Sequence, residues 1–363
     1  MNILHLGVYD RNIGDNIATA NIEQSLSQYI GNINVSRVSL ETFWKYGNSK
    51  EFVRKVYNDH VDNIDCILVG GGGLLEHAGY EKKESGWKLP FWEETLKFIK
   101  KPVFFYGVGV NCFRGGLDYS EEAITALSDT INHAESFSVR NDGSYNKLKN
   151  WIKLDSDTLS KVEVVPDPGL LHGDYFGIKR KDSVSKLGFQ PALNFSQAIN
   201  SNRFGNEQTF KKVKSKFKNE VVYPHTAKDF MFGDPIMSVR EFENYYKKTE
   251  NLDDYLAKYS KIDFVVAMRG HGQMITIGMN IPGIYLSTQD KVRDFSIENG
   301  FKDYNVDILE NDWEEKLDDC IARMKAPNSK YLKRWYEIRD EFVTRCHQVD
   351  KEWVEKNFNK WKS

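Results

Sequence analysis

The residue types best suited to chemistry gather in the second half of the chain. They run Phe264-Val265-Val266-Ala267-Met268-Arg269-Gly270-His271-Gly272-Gln273, then Ile281-Pro282-Gly283-Ile284-Tyr285, then Gln289-Asp290-Lys291-Val292-Arg293-Asp294-Phe295. An apolar strand delivers Arg269 and His271 to the start of a helix, and the next strand-to-helix turn delivers Lys291 nearby. A guanidinium forks onto a carboxylate or phosphate, an ammonium serves as a point charge, and a helix start adds backbone donors at Gly270. Together they predict an anion site that contains a titratable histidine. The bland alternative is a surface arginine and a capping histidine. A further loop, Tyr223-Pro224-His225-Thr226-Ala227-Lys228-Asp229, adds His225 and Asp229 as helpers. His60, His133 and His347 fall in helical stretches, where packing or surface roles are the default.

The first half supplies polar and glycine-rich loops of its own. Gly7-Val8-Tyr9-Asp10-Arg11-Asn12-Ile13-Gly14-Asp15-Asn16 enters a helix whose free N–H groups can hold an anion or sugar hydroxyls, or be capped simply by Asn12 or Asp15. Val69-Gly70-Gly71-Gly72-Gly73-Leu74 and Gly107-Val108-Gly109-Val110-Asn111 are expected as loops after strands, where glycine lets a backbone approach a ligand or turn tightly. Neither matches a nucleotide loop: the first lacks the Gly-Lys-Ser/Thr ending, and the second lacks the third glycine of Gly-x-Gly-x-x-Gly. Ser138-Val139-Arg140-Asn141-Asp142 puts Arg140 at the same edge. Asp167, in Val165-Pro166-Asp167-Pro168-Gly169, reads as a structural turn.

These loops need a scaffold, and the hydrophobic pattern describes one. Strands are predicted at 2–7, 33–38, 65–69, 102–108, 136–139 and 161–165, with helices at 15–30, 49–63, 91–100, 120–134 and 143–152. The apolar runs are near-continuous, as in parallel strands buried on both faces. After a charged linker around 180–186 the rhythm restarts, with strands at 187–194, 220–223, 262–267 and 283–286 and helices at 206–218, 239–259, 271–279 and 290–299. The expected α/β organisation is two Rossmann-like domains, 1–183 and 184–327, followed by a helical segment, 328–363. Open α/β sheets bind ligands beyond the carboxyl ends of their strands, where all the loops above lie.

Length and composition agree with this. The chain has 363 residues, too many for one ordinary core, and 40% of them are hydrophobic. Fifty Lys and Arg against 52 Asp and Glu leave a formal charge of −2, with no field to hold a nucleic-acid backbone. Cys66, Cys112, Cys320 and Cys346 lie far apart, so neither a zinc cluster nor a disulfide frame is indicated, and a reducing cytoplasm fits. The N-terminus reads straight into a strand with no leader, and no apolar run is long enough to cross a membrane. The tail from Tyr331 to Trp361 mixes aromatic residues with Lys356, Lys360 and Lys362. Its membrane-surface reading places the protein at the inner face of the membrane, but Glu337, Asp340, Glu341, Asp350, Glu352 and Glu355 interrupt any basic face, and packing on the body is preferred.

Taken in order, Asn12-x-Gly14-Asp15, the glycine run 70–73, Gly107-x-Gly109, Ser138-Val139-Arg140, Pro166-Asp167-Pro168, Arg269-Gly270-His271-Gly272 and Lys291 resemble the polysaccharide pyruvyl transferase family, from about residue 3 to 297. Gly14-Asp15-Asn16 departs from the Gly-Asp-Glu that many members carry. The resemblance implies a fold like that of GT-B glycosyltransferases, with two Rossmann-like domains facing a cleft. It also implies transfer of a pyruvyl group from phosphoenolpyruvate to two sugar hydroxyls, forming a ketal and releasing phosphate. Arg269, His271 and Lys291 match the catalytic and donor elements, with Gly270, Arg140 and His225 on the donor side. Asn12, Asp15, Asn16, Gly72, Asn111 and, as a sugar platform, Trp87 are expected on the acceptor side. The scheme needs no cofactor and no metal. Two rivals share the fold: a glycosyltransferase using a nucleotide sugar, and a non-catalytic binding protein. Many retaining enzymes of the first kind use two glutamates with seven residues between them, a pair this chain lacks after residue 186.

Overall fold

Six short strands in the first half, β1 (Asn2–Gly7), β2 (Asn34–Ser39), β3 (Cys66–Leu75), β4 (Val103–Val110), β5 (Ser136–Arg140) and β6 (Val162–Val165), most of them apolar, form one parallel sheet in the order β2-β1-β3-β4-β5-β6 in the computed structural model. The structure describes all residues except 10–11, 46–48, 78, 81, 112–118, 171–177, 193–206, 247–251 and 362–363. A second parallel sheet has the order β12-β11-β10-β7-β8-β9. Its strands are β7 (Leu187–Gln190), β8 (Val221–Val222), β9 (Asp234–Pro235), β10 (Phe264–Ala267), β11 (Gly283–Ser287) and β12 (Asn305–Asp307). Every residue of β4 and β10 is buried, as expected for parallel strands covered on both faces.

Each sheet reverses its strand order once, between β1 and β3 and between β7 and β10. A parallel sheet opens a crevice at that switch point, because the two flanking connections leave in opposite directions. Val8 and Asn12 after β1, Ala192 after β7, and Met268 and Arg269 after β10 therefore line one cleft.

The helix Lys330–Phe358 ties the two sheets together. Its first half, including Trp335, Phe342 and Cys346, shares the second sheet's core, and its last turns place Trp353, Val354 and Phe358 among Ile3, Ile22 and Leu26 beneath the first sheet. Ser25 and Tyr106 both donate to the buried Asp350 carboxylate of this helix. These buried aromatics are the ones on which the membrane-surface reading of the tail drew, so the packing reading accounts for them. No described helix is long and apolar enough to cross a membrane.

Several expected boundaries shift. Gly70 to Gly73 lie inside β3 and Gly107 and Gly109 inside β4, rather than in loops after them. Pairing of these strands carries register shifts at Gly72/Leu75 and Phe105/Val108, and the positive φ of Gly71 (81°) and Gly107 (56°) lets a bulged strand stay paired where other residues would end it. Only Glu93–Leu96 of the expected helix 91–100 is helical; of the expected helix 239–259, Val239–Tyr246 and Leu252–Ala257 are α-helical, and residues 247–251 lie outside the described residues. The edge strands β9 and β12 were not expected. They are two and three residues long, below the reach of any periodicity. Residues 193–194 of the expected strand 187–194 lie outside the described residues.

Candidate active site at the cleft

The apolar strand β10 ends at Ala267, and the chain runs through Met268 and Arg269 into the helix Gly270–Gly278. A side chain at Gly272 would collide with Gln190 at the end of β7, while the space above Gly270 is open and this helix start lines the cleft. The far end of this helix is held by Arg339, which donates to the Ile277 and Gly278 carbonyls at 2.9 and 3.1 Å. A cation at a helix C-terminus is favoured by the dipole, so the site-bearing helix is anchored from behind.

Arg269 is fixed by its neighbours. Its Nε donates to the Pro191 carbonyl at 2.8 Å, and its Nη2 to Asp229 Oδ1 at 2.7 Å and Thr226 Oγ1 at 3.3 Å. The other oxygen of Asp229 accepts the N–H groups of His225 and Thr226, so one carboxylate positions both the loop and the guanidinium. His225 lines the cleft with Nδ1 unbonded. Burial, together with the charge of Arg269 and of His271, pushes its titration well below the usual histidine range.

His271 stands between the two sheets. Its Nδ1 is 3.5 Å from Asp15 Oδ1, and its Nε2 is 3.6 Å from Asp167 Oδ1 and 3.4 Å from Arg140 Nη1. Burial holds the imidazolium below the ordinary histidine value, against the pull of Asp167 and Asp15. Arg140, 3% exposed, is balanced by Asp142 at 2.7 Å and Asp167 at 3.2 Å. A Cβ on Gly109 would run into this guanidinium, so a side chain there would have to displace Arg140 from its carboxylates. Lys291 sits in the first turn of the helix Asp290–Glu298 and reaches Asn111 Oδ1 at 3.3 Å. Burial and the nearby Arg140 bring its ammonium down to about 8.

These groups line a cavity of about 260 Å³, to which Asn12, Asp15, Asn111, Arg140, His225, Arg269, Gly270, His271 and Lys291 all contribute. Asn12 also caps its helix, accepting the Gly14 N–H at 2.8 Å.

Three expected residues lie elsewhere. Trp87 is 2% exposed, donates to the Ala123 carbonyl and stacks on Tyr119 at 5.0 Å, so its faces are closed to a sugar. Asn16 is fully buried in the first helix, and Gly72 is buried against the Asp15 carboxylate. Among the described residues the aromatic lining the cleft is Trp44, with Lys88 Nζ 4.1 Å from its ring centre and paired to Glu76 at 3.2 Å. The sequence reading missed Trp44, Lys88, Asp142 and Asp167. Asp142 and Asp167 were legible as residues just beyond β5 and β6 on the strand edge that carries Arg140. Nothing in the local pattern marks Trp44 over Trp87. Among the described residues no group of three or more His, Cys, Asp or Glu is arranged to hold a metal ion.

Comparison with known proteins bears on this arrangement. Among curated proteins, none matches the chain in sequence. Two similar solved structures are S. aureus MnaA with UDP (12% identity, 99% of this chain and 96% of that one, TM-score 0.53) and UDP-GlcNAc 2-epimerase from Neisseria meningitidis bound to UDP-GlcNAc (14%, 99% and 100%, TM-score 0.52). At these identities the likeness is one of fold, and that fold is the GT-B type: two parallel α/β sheets around a cleft, here with a long C-terminal helix. The family model of polysaccharide pyruvyl transferase matches residues 12–290, a span that begins at the Asn12 cap and reaches the turn before Lys291. By that match the chain belongs to the polysaccharide pyruvyl transferase family.

Proposed function

We propose that this protein transfers a pyruvyl group from phosphoenolpyruvate to two hydroxyls of a saccharide in a cell-surface polysaccharide or its precursor, giving a cyclic ketal and inorganic phosphate. The observation that carries the reading is the meeting of Arg269, His271 and Lys291 with the open start of the Gly270–Gly278 helix in one cavity. Phosphoenolpyruvate brings a carboxylate and a phosphate, and these groups supply a fork, a point charge and backbone donors for them.

In this scheme His271 gives a proton to the methylene carbon as the first hydroxyl oxygen bonds to the adjacent carbon. That hydroxyl's proton passes to Asp15 or back to the imidazole. The second hydroxyl then displaces phosphate at the same carbon and yields its proton to the same pair. Burial favours the neutral form of His271 in the present arrangement. The negative charge of the donor supplies what burial takes away, so donor binding and protonation of His271 are coupled. The facing wall, with Asn12, Asn111, Trp44 and Lys88, is assigned to the acceptor. An aromatic face beside polar groups suits a pyranose ring.

Calorimetric titration with phosphoenolpyruvate, alongside Arg269→Ala and His271→Ala, tests the reading. Saturable binding that Arg269→Ala abolishes, followed by phosphate release once a saccharide acceptor is added, is the expected result. The second reading, a nucleotide-sugar transferase, is favoured by the UDP and UDP-GlcNAc of the two solved relatives. Binding of a UDP-sugar without binding of phosphoenolpyruvate would select it.

A further inference from the structure

The corner Pro166-Asp167-Pro168-Gly169 is a turn, and one oxygen of Asp167 serves the turn by accepting the Gly169 N–H at 2.8 Å. A turn residue of that kind is usually solvated, whereas this carboxylate is 4% exposed and has further contacts. Its Oδ2 takes Arg140, and its Oδ1 lies 3.6 Å from His271 Nε2. The imidazole is also gripped from both sides. A Cβ on Gly14 would stand 2.5 Å from the His271 Cβ, and one on Gly169 would stand 2.8 Å from its Cδ2. The ring's plane is held by this packing, and its polar neighbours place Nδ1 toward Asp15, which lines the cleft, and Nε2 toward Asp167, which does not.

We infer that Asp167 is the positioning carboxylate of an Asp–His pair: it accepts the Nε2–H of His271, fixes that tautomer, and leaves Nδ1 as the nitrogen that exchanges a proton with the cleft. The inference rests on the pyruvyl-transfer reading only for the identity of the substrate. An imidazole works as acid or base on one nitrogen when the other is held by an acceptor. The charged groups around the ring are Asp15 from the first helix, Arg140 at the end of β5, Asp167 after β6, Lys291 from the Asp290–Glu298 helix, and titratable His225 from the loop after β8. Arg140 Nη1, 3.4 Å from Nε2, is the competing donor and would select the opposite tautomer. This Nη1 also faces Oδ2 of Asp167 at 3.2 Å, so one of its two hydrogens is drawn there and the other competes with Oδ1 of Asp167 for Nε2, while Nη2 of the same guanidinium faces Asp142. At 3.6 Å the Asp167 contact is longer than a hydrogen bond, and contacts of this kind tighten when substrate seats.

Nitrogen-15 NMR of histidine-labelled full-length protein tests this without any substrate. His271 is expected as the Nε2–H tautomer. In Asp167→Asn, which keeps the acceptor for Gly169, the Nδ1–H population rises and the imidazole titrates at lower pH. With phosphoenolpyruvate and an acceptor, kcat falls by about tenfold or more, its pH profile moves with the titration, and KM for the donor stays within about threefold. An Nδ1–H tautomer in the unsubstituted protein, or an unchanged tautomer and titration in Asp167→Asn, overturns the inference. Should Asp167→Asn fail to fold, the tautomer of the unsubstituted protein decides alone. An Nε2–H tautomer in a protein that does not bind phosphoenolpyruvate sinks the proposed function and leaves the Asp–His pair standing.

Discussion

On the first-sheet wall of the cleft Arg140 is enclosed by Asp142 and Asp167, while on the second-sheet wall Lys291 reaches only an amide oxygen, with no carboxylate among the described residues within 4 Å. Arg140 is taken out of water and Lys291 partly so, yet their situations differ in more than exposure. A guanidinium removed from solvent between two carboxylates is settled internally and forms part of a rigid frame. An ammonium in the first turn of a helix sits where the dipole disfavours positive charge, and only an arriving anion completes it. The difference separates what holds the cleft from what the cleft is built to receive. Arg269 is intermediate, since Asp229 and the Pro191 carbonyl aim it without enclosing it.

The comparison can be broken most severely at the point where the walls meet. His271→Ala is expected to lower the pyruvyl-transfer rate by about 10²–10⁴ while leaving the fold intact, measured as phosphate release in single turnover. A loss below tenfold would move the proton transfer to another group.

Arg140→Met strands two buried carboxylates and should cost about 3–5 kcal/mol in denaturant unfolding. Lys291→Met removes a cation that has no carboxylate partner and should leave stability unchanged or raised. Equal losses in the two variants would erase the distinction between the walls.

Lys291 also carries a pH signature. Its folded value of about 8 lies below the ordinary 10.5, so the unfolded chain binds more protons between those values and its contribution to stability rises with pH across that window. A bound anion reverses the preference by favouring the ammonium. Phosphoenolpyruvate affinity should therefore fall as pH climbs through about 8, and calorimetry of Lys291→Met should show weaker binding without that step.

The smallest effect belongs to the acceptor wall. Trp44→Ala should leave phosphoenolpyruvate binding within about twofold and raise KM for the saccharide, as the loss of stacking worth about 1 kcal/mol would. A large drop in donor binding would show that the two halves of the cavity are not separate sites.

Much of the scaffold was legible because buried parallel strands write themselves as continuous apolar runs. The runs at 2–7, 65–69 and 262–267 each correspond to a strand, and each delivers the loop the chemistry needs. The Arg269-Gly270-His271 element was legible for the same reason, since a strand ending in polar residues beside glycine marks a sheet edge. The glycine run 70–73 misled, because a bulged strand and a loop use glycine for the same conformational freedom. Trp87 misled because an aromatic next to a glycine and a lysine carries no local sign of which way it points. Trp44 and Trp87 are each followed by a lysine, yet Trp87 is buried and Trp44 only partly so.

By sequence alone, hydrophobic periodicity determined the class of fold, and the spacing of Arg269, His271 and Lys291 placed three chemically active groups at adjacent strand ends. Both are local properties, set by neighbours within one or two turns of chain. Which carboxylate faces which imidazole nitrogen depends on contacts between residues more than a hundred positions apart, and which tryptophan reaches the cleft and whether Arg140 is enclosed depend on contacts between different strands and loops. Asp15 and Asp167 meet His271 only because the two sheets close on each other, clasped by the helix Lys330–Phe358. Burial and electrostatic pairing across that gap are properties of the assembled core, and no window of sequence contains them.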